Sequence, residues 1–94
     1  MKLSVIGGGS WGTAISLILS DNGHNVNVWH YKENFCEQIN KDRLHPLIQS
    51  IQIPKNITFV SDLSKLDMKI VFIALPSHAI MDILEQLNIN ENTL

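Results

Sequence analysis

The sequence is poor in cysteine, in net charge and in long apolar runs, and each shortage excludes a class of protein. One cysteine, Cys36, cannot build an internal disulfide framework, so we expect a reducing, cytoplasmic environment. A net charge of −2 provides no basic field that would attract nucleic acid. No stretch approaches the roughly 20 apolar residues of a membrane-spanning helix. We therefore expect no nucleic acid partner and no membrane span.

The composition is that of a folded chain. Of the 94 residues, 45% are hydrophobic and 17% are charged, which is typical of globular proteins rather than disordered ones. Short β-branched segments alternate with segments of helical periodicity. The pattern predicts strands at 2–6, 26–29, 57–60 and 70–75, helices at 10–22, 33–43 and from Pro76-Ser77 onward, one helical turn at 61–66 capped by Ser61, and a loop at 44–55.

This alternation of strand and helix predicts the fold class. Strands separated by helices build a parallel sheet with right-handed crossovers, so we predict an α/β, doubly wound sheet of the Rossmann type. In the first helix, an apolar stripe that begins at Trp11 and ends at Ile18 is expected to face the core. Thr93-Leu94 resembles the start of a fifth strand, and we expect a sheet truncated after about four strands.

A glycine motif follows the first predicted strand and opens the first predicted helix. Gly7, Gly9 and Gly12 have the G-x-G-x-x-G spacing of dinucleotide-binding loops. The first glycine permits the tight turn, the second lets the backbone approach a pyrophosphate, and the third lets the helix pack closely on the strand. The alternative is a glycine-rich turn that binds nothing. In this context the motif predicts that residues 1–94 are part of an NAD(P)-binding domain.

Two residues inside the motif have alternative roles. Ser10 could donate its hydroxyl to a phosphate or cap the helix. Trp11 could cover the cofactor, but packing in the core is the more common role of an aromatic residue at this point.

The end of the second strand bears on the choice of coenzyme. An acidic residue there would bind the ribose hydroxyls and favour NAD, but this chain has His30, Tyr31 and Lys32. His30 and Lys32 could face a 2′-phosphate and Tyr31 could stack on adenine, which favours NADP or tolerance of both coenzymes. A solvated polar loop is the alternative.

The loop after the fourth strand lies at the edge of the sheet where ligands bind in doubly wound folds. Pro76 and Ser77 are therefore candidate cofactor contacts, with His78 beside them. Alternatively, Ser77 only caps the helix. His24 and His45 have no metal-ligand spacing with Cys36, and we predict no metal site.

Taken together, these segments resemble the N-terminus of bacterial-type NAD(P)-dependent glycerol-3-phosphate dehydrogenase. The resemblance runs through nearly the whole chain in the family's order, and its Gly-Ser-Trp-Gly-Thr-Ala run is more specific than glycine spacing. The segments are Val5-Ile6-Gly7-Gly8-Gly9-Ser10-Trp11-Gly12-Thr13-Ala14, Asn22-Gly23-His24, Val28-Trp29, Ile53-Pro54-Lys55-Asn56-Ile57, Ser61-Asp62-Leu63 and Ala74-Leu75-Pro76-Ser77-His78.

The resemblance implies hydride transfer between NAD(P)H and dihydroxyacetone phosphate or sn-glycerol 3-phosphate, which feeds phospholipid synthesis. It implies a longer chain with a helical substrate domain, a homodimer of that chain, and contacts of Ser10 and Trp11 with NADPH. The family's catalytic lysine and substrate-phosphate ligands lie beyond Leu94, so no catalytic residue is expected here and the fragment is expected to be inactive. Gly8 stands where the family commonly has alanine, and Tyr31 where a basic residue is common.

Three other interpretations stay open at this point. Ketopantoate reductase, 6-phosphogluconate dehydrogenase and hydroxyacyl-CoA dehydrogenase resemble this opening in outline. A nucleotide-sensing module, such as the Rossmann-type regulatory domain of a potassium transporter, would bind NAD or ATP and catalyse nothing. A bare α/β scaffold would bind no ligand, since fold alone does not fix function.

Overall fold

A computed structural model describes residues 1–46, 48–67 and 69–87 of the chain. Within these residues, the predicted strands and helices are present, and two strands that the sequence did not predict follow α2. The elements are β1 (Lys2–Ile6), α1 (Ser10–Asp21), β2 (Asn25–Trp29), α2 (Glu33–Asp42), β3 (Leu44–His45), β4 (Ile48–Gln52), β5 (Ile57–Val60), a 3-10 helix (Leu63–Lys65), β6 (Val71–Ile73) and α3 (Ser77–Leu87).

The main sheet has four parallel strands in the order β5-β2-β1-β6. The chain runs outward from β1 through β2 to β5, and then returns to place β6 on the other side of β1. Val5 of β1 pairs in register with Val28 of β2 and with Phe72 of β6. The strand order therefore reverses between β1 and β6, and ligands of open α/β sheets bind beside such a point.

Two apolar clusters cover the two faces of the sheet. Alternate residues of β1 point to opposite faces, so Val5 joins one cluster and Ile6 joins the other. The Val5 cluster includes Ile39 of α2 and contacts Ile15 of α1. The Ile6 cluster includes Ile83 of α3. Helices therefore lie on both faces, and the prediction of a doubly wound α/β fold is confirmed.

Cys36 belongs to the cluster that α2 buries. The side chain is only 3% exposed, and burial raises the pKa of its thiol. This environment gives Cys36 an apolar packing role, because a reactive thiol needs access and a lowered pKa.

The predicted inner face of α1 is wrong at its two ends, Trp11 and Ile18, although Ile15 between them packs against the Val5 cluster. Trp11 is 73% exposed and Ile18 is 64% exposed, whereas Thr13, Ser16 and Ser20 are buried. Small residues occupy the inner face of α1 because the helix packs closely against the sheet. Their hydroxyl groups donate hydrogen bonds to acceptors within the protein. Ser16 Oγ donates to the Gly12 carbonyl at 2.8 Å, and Ser20 Oγ donates to Asn56 Oδ1 at 2.5 Å.

The predicted loop at 44–55 contains a β-hairpin, so that prediction is also wrong. Strands β3 and β4 pair in antiparallel fashion, with Leu44 opposite Gln52. Pro46 and Pro54 exclude a helix, but both lie outside the strands, where proline is tolerated. Arg43 ends α2 in the left-handed conformation with a φ of 60° and turns the chain into the hairpin.

Smaller differences concern the ends of elements. The single helical turn is a 3-10 helix capped by Asp62 rather than Ser61, because the Asp62 side chain accepts the Ser64 amide at 2.9 Å. Strand β6 is shorter than the predicted strand at 70–75. The predicted polar turn at 88–92 and the start of a fifth strand at Thr93 lie outside the described residues.

Candidate functional site

A cleft of 190 Å³ lies where the carboxyl ends of β1, β2 and β6 meet. It sits beside the point at which the strand order reverses, between β1 and β6. The motif glycines form one wall, and the residues after β2 and β6 form the others. The lining residues are Gly7, Gly8, Gly9, Trp29, His30, Tyr31, Ala74, Leu75 and Pro76.

The fold itself requires glycine at the first and third motif positions. Gly7 has a φ of 126°, which L side chains rarely adopt, and a Cβ there would overlap the Ala74 carbonyl oxygen. At Gly12 a Cβ would overlap the Gly7 carbonyl oxygen. These two residues let β1 turn and let α1 approach the strand, as the motif predicts.

Gly9 differs from both, because the fold does not need a glycine there. Its φ of −74° and ψ of −171° are open to any residue, and a Cβ would meet no atom within 4 Å. The backbone at Gly9 therefore borders open space. Such space next to a motif glycine is what a closely approaching pyrophosphate would use.

Helix α1 begins directly after this open space. Gly9 is its N-cap, so the alternative that Ser10 caps the helix is wrong. Ser10 is the first helical residue and is exposed. The first turn of any helix has backbone N–H groups without helical partners, and these favour an anion. No acidic residue occupies this first turn, so no fixed negative charge opposes an anion there.

Trp11 projects into solvent beside the same turn. It is 73% exposed, so the expected packing in the core is wrong for Trp11. A tryptophan at this point is free to cover a ligand at the helix N-terminus. That location fits the alternative role of a cofactor contact.

The residues after β2 form an aromatic stack at the rim of the cleft. The His30 ring lies between Tyr31, at 4.7 Å, and Phe35, at 3.9 Å between ring centroids. Lys32 Nζ lies 5.5 Å from the centre of the Tyr31 ring. Tyr31 is 67% exposed, so its ring has an accessible surface on which a base could stack.

His30 is held as a neutral imidazole. The Lys32 backbone N–H donates to His30 Nδ1 at 3.1 Å, so the ring proton lies on Nε2. Burial lowers the pKa of His30, and electrostatic interactions with Lys32 and His45 lower it further. His30 is thus a neutral donor at neutral pH, and Lys32 is the cation of this group.

The chain after β6 closes the other side of the cleft. Pro76 lines it, and the Pro76 carbonyl accepts the Ala79 amide at 2.9 Å as α3 begins. Ser77 is the first residue of α3. The side chains of Ser77 and His78 lie outside the described part of the structure, so their expected contacts stay predictions.

One residue of this site was missed by the sequence analysis. His45 is fully buried, and its Nε2 lies 2.8 Å from the Gly8 carbonyl oxygen inside the glycine loop. His45 belongs to the hairpin that we predicted as a loop. It has no motif spacing relative to the glycines, so no signal in the sequence pointed to it.

A family comparison decides what kind of domain this is. The family model for the N-terminus of NAD-dependent glycerol-3-phosphate dehydrogenase matches residues 2–93. The chain belongs to this family. The resemblance stated from the sequence is thereby confirmed, and it favours this family over the other dehydrogenases and the sensing module.

Curated relatives support the same assignment. A glycerol-3-phosphate dehydrogenase [NAD(P)+] from Thermoanaerobacter sp. strain X514 is 40% identical over 89 residues, covering 93% of this chain and 27% of the relative. One of the same name from Oceanobacillus iheyensis is 36% identical, covering 93% of this chain and 26% of the relative. The chain thus spans about a quarter of the length of these relatives.

The fold also matches a solved structure. The crystal structure of glycerol-3-phosphate dehydrogenase from Coxiella burnetii superposes with a TM-score of 0.82 at 22% identity. The match covers 92% of this chain and 27% of that one. At this identity the likeness supports the fold alone.

Clusters of metal-ligating residues and membrane-spanning helices are both absent from the described residues. Within 1–46, 48–67 and 69–87, no group of three or more His, Cys, Asp or Glu residues could hold a metal ion. No helix in that same part of the chain is long and apolar enough to cross a membrane. The absence of a metal stays a prediction for the chain as a whole.

Proposed function

We propose that this chain binds NAD or NADP at its glycine loop, as the cofactor-binding N-terminal part of a glycerol-3-phosphate dehydrogenase. The observation that carries the proposal is the open space beside Gly9, directly before the N-terminus of α1. A side chain at Gly9 would fill this space, whereas a pyrophosphate group fits it. The described residues therefore suit the cofactor that the family name implies.

Each candidate residue then has a role in binding. The pyrophosphate lies against the backbone of Gly9 and the first-turn N–H groups, with the Ser10 hydroxyl as a further donor. Trp11 covers the cofactor from the solvent side. The nicotinamide half extends toward Pro76 and Ser77, across the point where the strand order reverses.

The adenosine half lies over the end of β2. Adenine stacks on the exposed Tyr31 ring, and His30 contributes a neutral N–H donor. Lys32 is the cation that would pair with a 2′-phosphate. We therefore propose that the site accepts NADP, with NAD tolerated because the pyrophosphate contacts are common to both coenzymes.

The reaction we propose for the whole protein is hydride transfer between NAD(P)H and dihydroxyacetone phosphate or sn-glycerol 3-phosphate. The nicotinamide ring supplies the hydride chemistry when the cofactor is bound. This chain contributes binding and orientation of that ring, and we assign no catalytic residue within it. Residues 1–94 alone are expected to lack dehydrogenase activity.

The wider context extends the proposal beyond the described residues. We propose that residues 1–94 are the N-terminal part of the cofactor domain, which a helical substrate domain follows in the longer protein. A homodimer of that protein, a role in phospholipid synthesis and a cytoplasmic location stay predictions. The family resemblance supports the homodimer and the role in phospholipid synthesis, and the single cysteine supports the cytoplasmic location.

A fluorescence titration tests cofactor binding. The 94-residue chain is titrated with NADPH and with NADH while the emission of Trp11 and Trp29 is followed. Because Trp11 is exposed beside the helix N-terminus and Trp29 lines the cleft, saturable quenching is expected. N-acetyltryptophanamide corrects for absorption by the cofactor. A chain that is folded by circular dichroism and unquenched by either cofactor contradicts the proposal.

A charge reversal tests the coenzyme assignment. Lys32→Asp should weaken NADPH binding by about ten-fold or more, since a charge-assisted contact to phosphate is lost. NADH, which lacks the 2′-phosphate, should lose much less. Lys41→Asp makes the same charge change outside the cleft and is the matched control. Equal losses for both coenzymes would show that Lys32 does not face the phosphate.

A further inference from the structure

The glycine loop is held from inside the protein by two buried side chains. His45 Nε2 donates to the Gly8 carbonyl oxygen at 2.8 Å, and Thr13 Oγ1 donates to the same oxygen at 3.4 Å. Both side chains are fully buried. The His45 contact links the β3-β4 hairpin to the loop between β1 and α1, two segments far apart in the sequence.

This bond fixes the direction of the next amide. In a trans peptide the C=O of one residue and the N–H of the next point in opposite directions. The Gly8 carbonyl points inward, to His45 and Thr13, so the Gly9 N–H points outward. At Gly9 itself an added Cβ would meet no atom within 4 Å, so a ligand has room to approach this part of the backbone.

The His45 ring is itself held in place by aromatic neighbours. It contacts Phe35 edge to face, with ring centroids 5.3 Å apart and planes at 81°, and Phe59 lies 6.4 Å away. Phe35 also stacks on His30. A Cβ at Gly8 would lie 2.8 Å from His30 Cβ, so the loop is in close contact with this aromatic group.

We propose that His45 is a positioning residue for dinucleotide binding, which fixes the Gly8–Gly9 peptide so that the Gly9 N–H faces the pyrophosphate. The proposal rests on the function proposed above and adds a residue that the glycine motif does not contain. His45 touches no ligand atom itself. It lowers the cost of binding by holding the loop in its binding conformation before the ligand arrives.

A pair of amide substitutions tests this role. In His45→Gln the side-chain nitrogen can stand where Nε2 stands, whereas in His45→Asn the shorter side chain cannot reach Gly8. His45→Asn should raise the NADPH dissociation constant by about ten-fold, the loss expected when a buried hydrogen-bond partner is removed. His45→Gln should stay close to wild type. Equal affinities for wild type, His45→Gln and His45→Asn would overturn the proposal.

Two further readouts separate positioning from general stability. Adenosine 2′-phosphate, which lacks the pyrophosphate, should bind wild type and His45→Asn equally well. In the chain without ligand, the amide resonance of Gly9 should move in His45→Asn and stay in place in His45→Gln. A parallel loss of affinity for adenosine 2′-phosphate, or a Gly9 resonance that does not move, would show that His45 has only a structural role and would overturn the proposal.

Control variants cover the remaining outcomes. Val26→Ala removes buried packing near the amino end of β2, away from the cleft at the carboxyl ends of the strands, so it should lower the melting temperature and leave NADPH affinity unchanged. If His45→Asn does not fold, His45→Leu removes the same donor with an apolar side chain that can pack beside Phe35 and Phe59, and an unchanged NADPH affinity in that variant would then refute the mechanism. A wild-type chain that binds no NADPH would instead refute the proposed function, and this role with it.

Discussion

Alanine at Gly9 should separate cofactor binding from folding. The backbone of Gly9 is compatible with alanine, so the lower entropy of the unfolded chain favours Gly9→Ala by about 0.4–1 kcal/mol. Alanine is a poorer N-cap than glycine, which offsets this by a similar amount. A Cβ there meets no atom within 4 Å. The free energy of unfolding should therefore change by less than about 1 kcal/mol.

Binding should respond very differently to the same change. The added methyl group projects into the space that we assign to the pyrophosphate. NADPH and NADH affinity should fall together by about five-fold or more, because overpacking a tight contact costs about 1–3 kcal/mol. Ligands that lack a pyrophosphate should be affected much less.

Gly12→Ala is the matched comparison, since the same methyl group is added three residues later. There the Cβ would overlap the Gly7 carbonyl oxygen, so α1 must move away from β1. The cost should reach about 3 kcal/mol, which in a domain of this size lowers the melting temperature by at least about 12 °C.

The assay combines thermal unfolding, followed by circular dichroism, with a fluorescence titration of both variants. A Gly9→Ala variant that binds NADPH as wild type does would refute the assignment of this space to the pyrophosphate. A Gly9→Ala variant destabilised as much as Gly12→Ala would refute the distinction between the two glycines.

Two further predictions concern stability. Asn56→Ala should lower the free energy of unfolding by about 2 kcal/mol, since Asn56 accepts from Ser20 Oγ and donates to the His24 carbonyl at 2.9 Å. Urea denaturation measures this loss, with the exposed Asn22→Ala as the control. A loss no larger than that of Asn22→Ala would contradict the prediction. His30 should titrate below the usual histidine pKa of about 6.5. The unfolded chain then binds more protons, so stability should be lost as the pH falls from about 6.5 through the lower folded pKa. His30→Gln should remove this loss, and a His30 pKa at or above 6.5 by NMR would contradict it.

The sheet and the glycine loop could be predicted because their sequence signals are local. Strand β1 is a short apolar run that ends at Gly7, and the spacing to Gly12 follows from one tight turn and one close contact. Such features depend on neighbours within a dozen residues. The same holds for α2, which was predicted at 33–43 and lies at Glu33–Asp42.

The face of α1 and the hairpin could not be predicted in the same way. An apolar stripe from Trp11 to Ile18 normally marks the inner face of a helix, but close packing against the sheet selected Thr13 and Ser16 instead. Their hydroxyls are satisfied by loop and helix carbonyls, which no periodicity reveals. The exposure of Trp11 fits the cofactor site that we propose at the helix N-terminus.

The role of His45 has a similar origin. Its contact with Gly8 joins residues 37 positions apart through a hairpin in the segment that was predicted as a loop. Proline excludes a helix at 46 and 54, but it permits short strands beside those positions. Long-range contacts of this kind are visible only once the chain has folded.

Amide chemical shifts of the ¹⁵N-labelled chain titrated with NADPH test the central claim most directly, because they locate the ligand residue by residue. The account predicts that the largest saturable shifts occur at Gly9, Ser10 and Trp11, with a second group after β2 at Tyr31 and Lys32. Shifts confined to the separate groove between α1 and β4, which Ile18 and Ile51 line, or no saturable shifts at all, would contradict the glycine loop as the dinucleotide site.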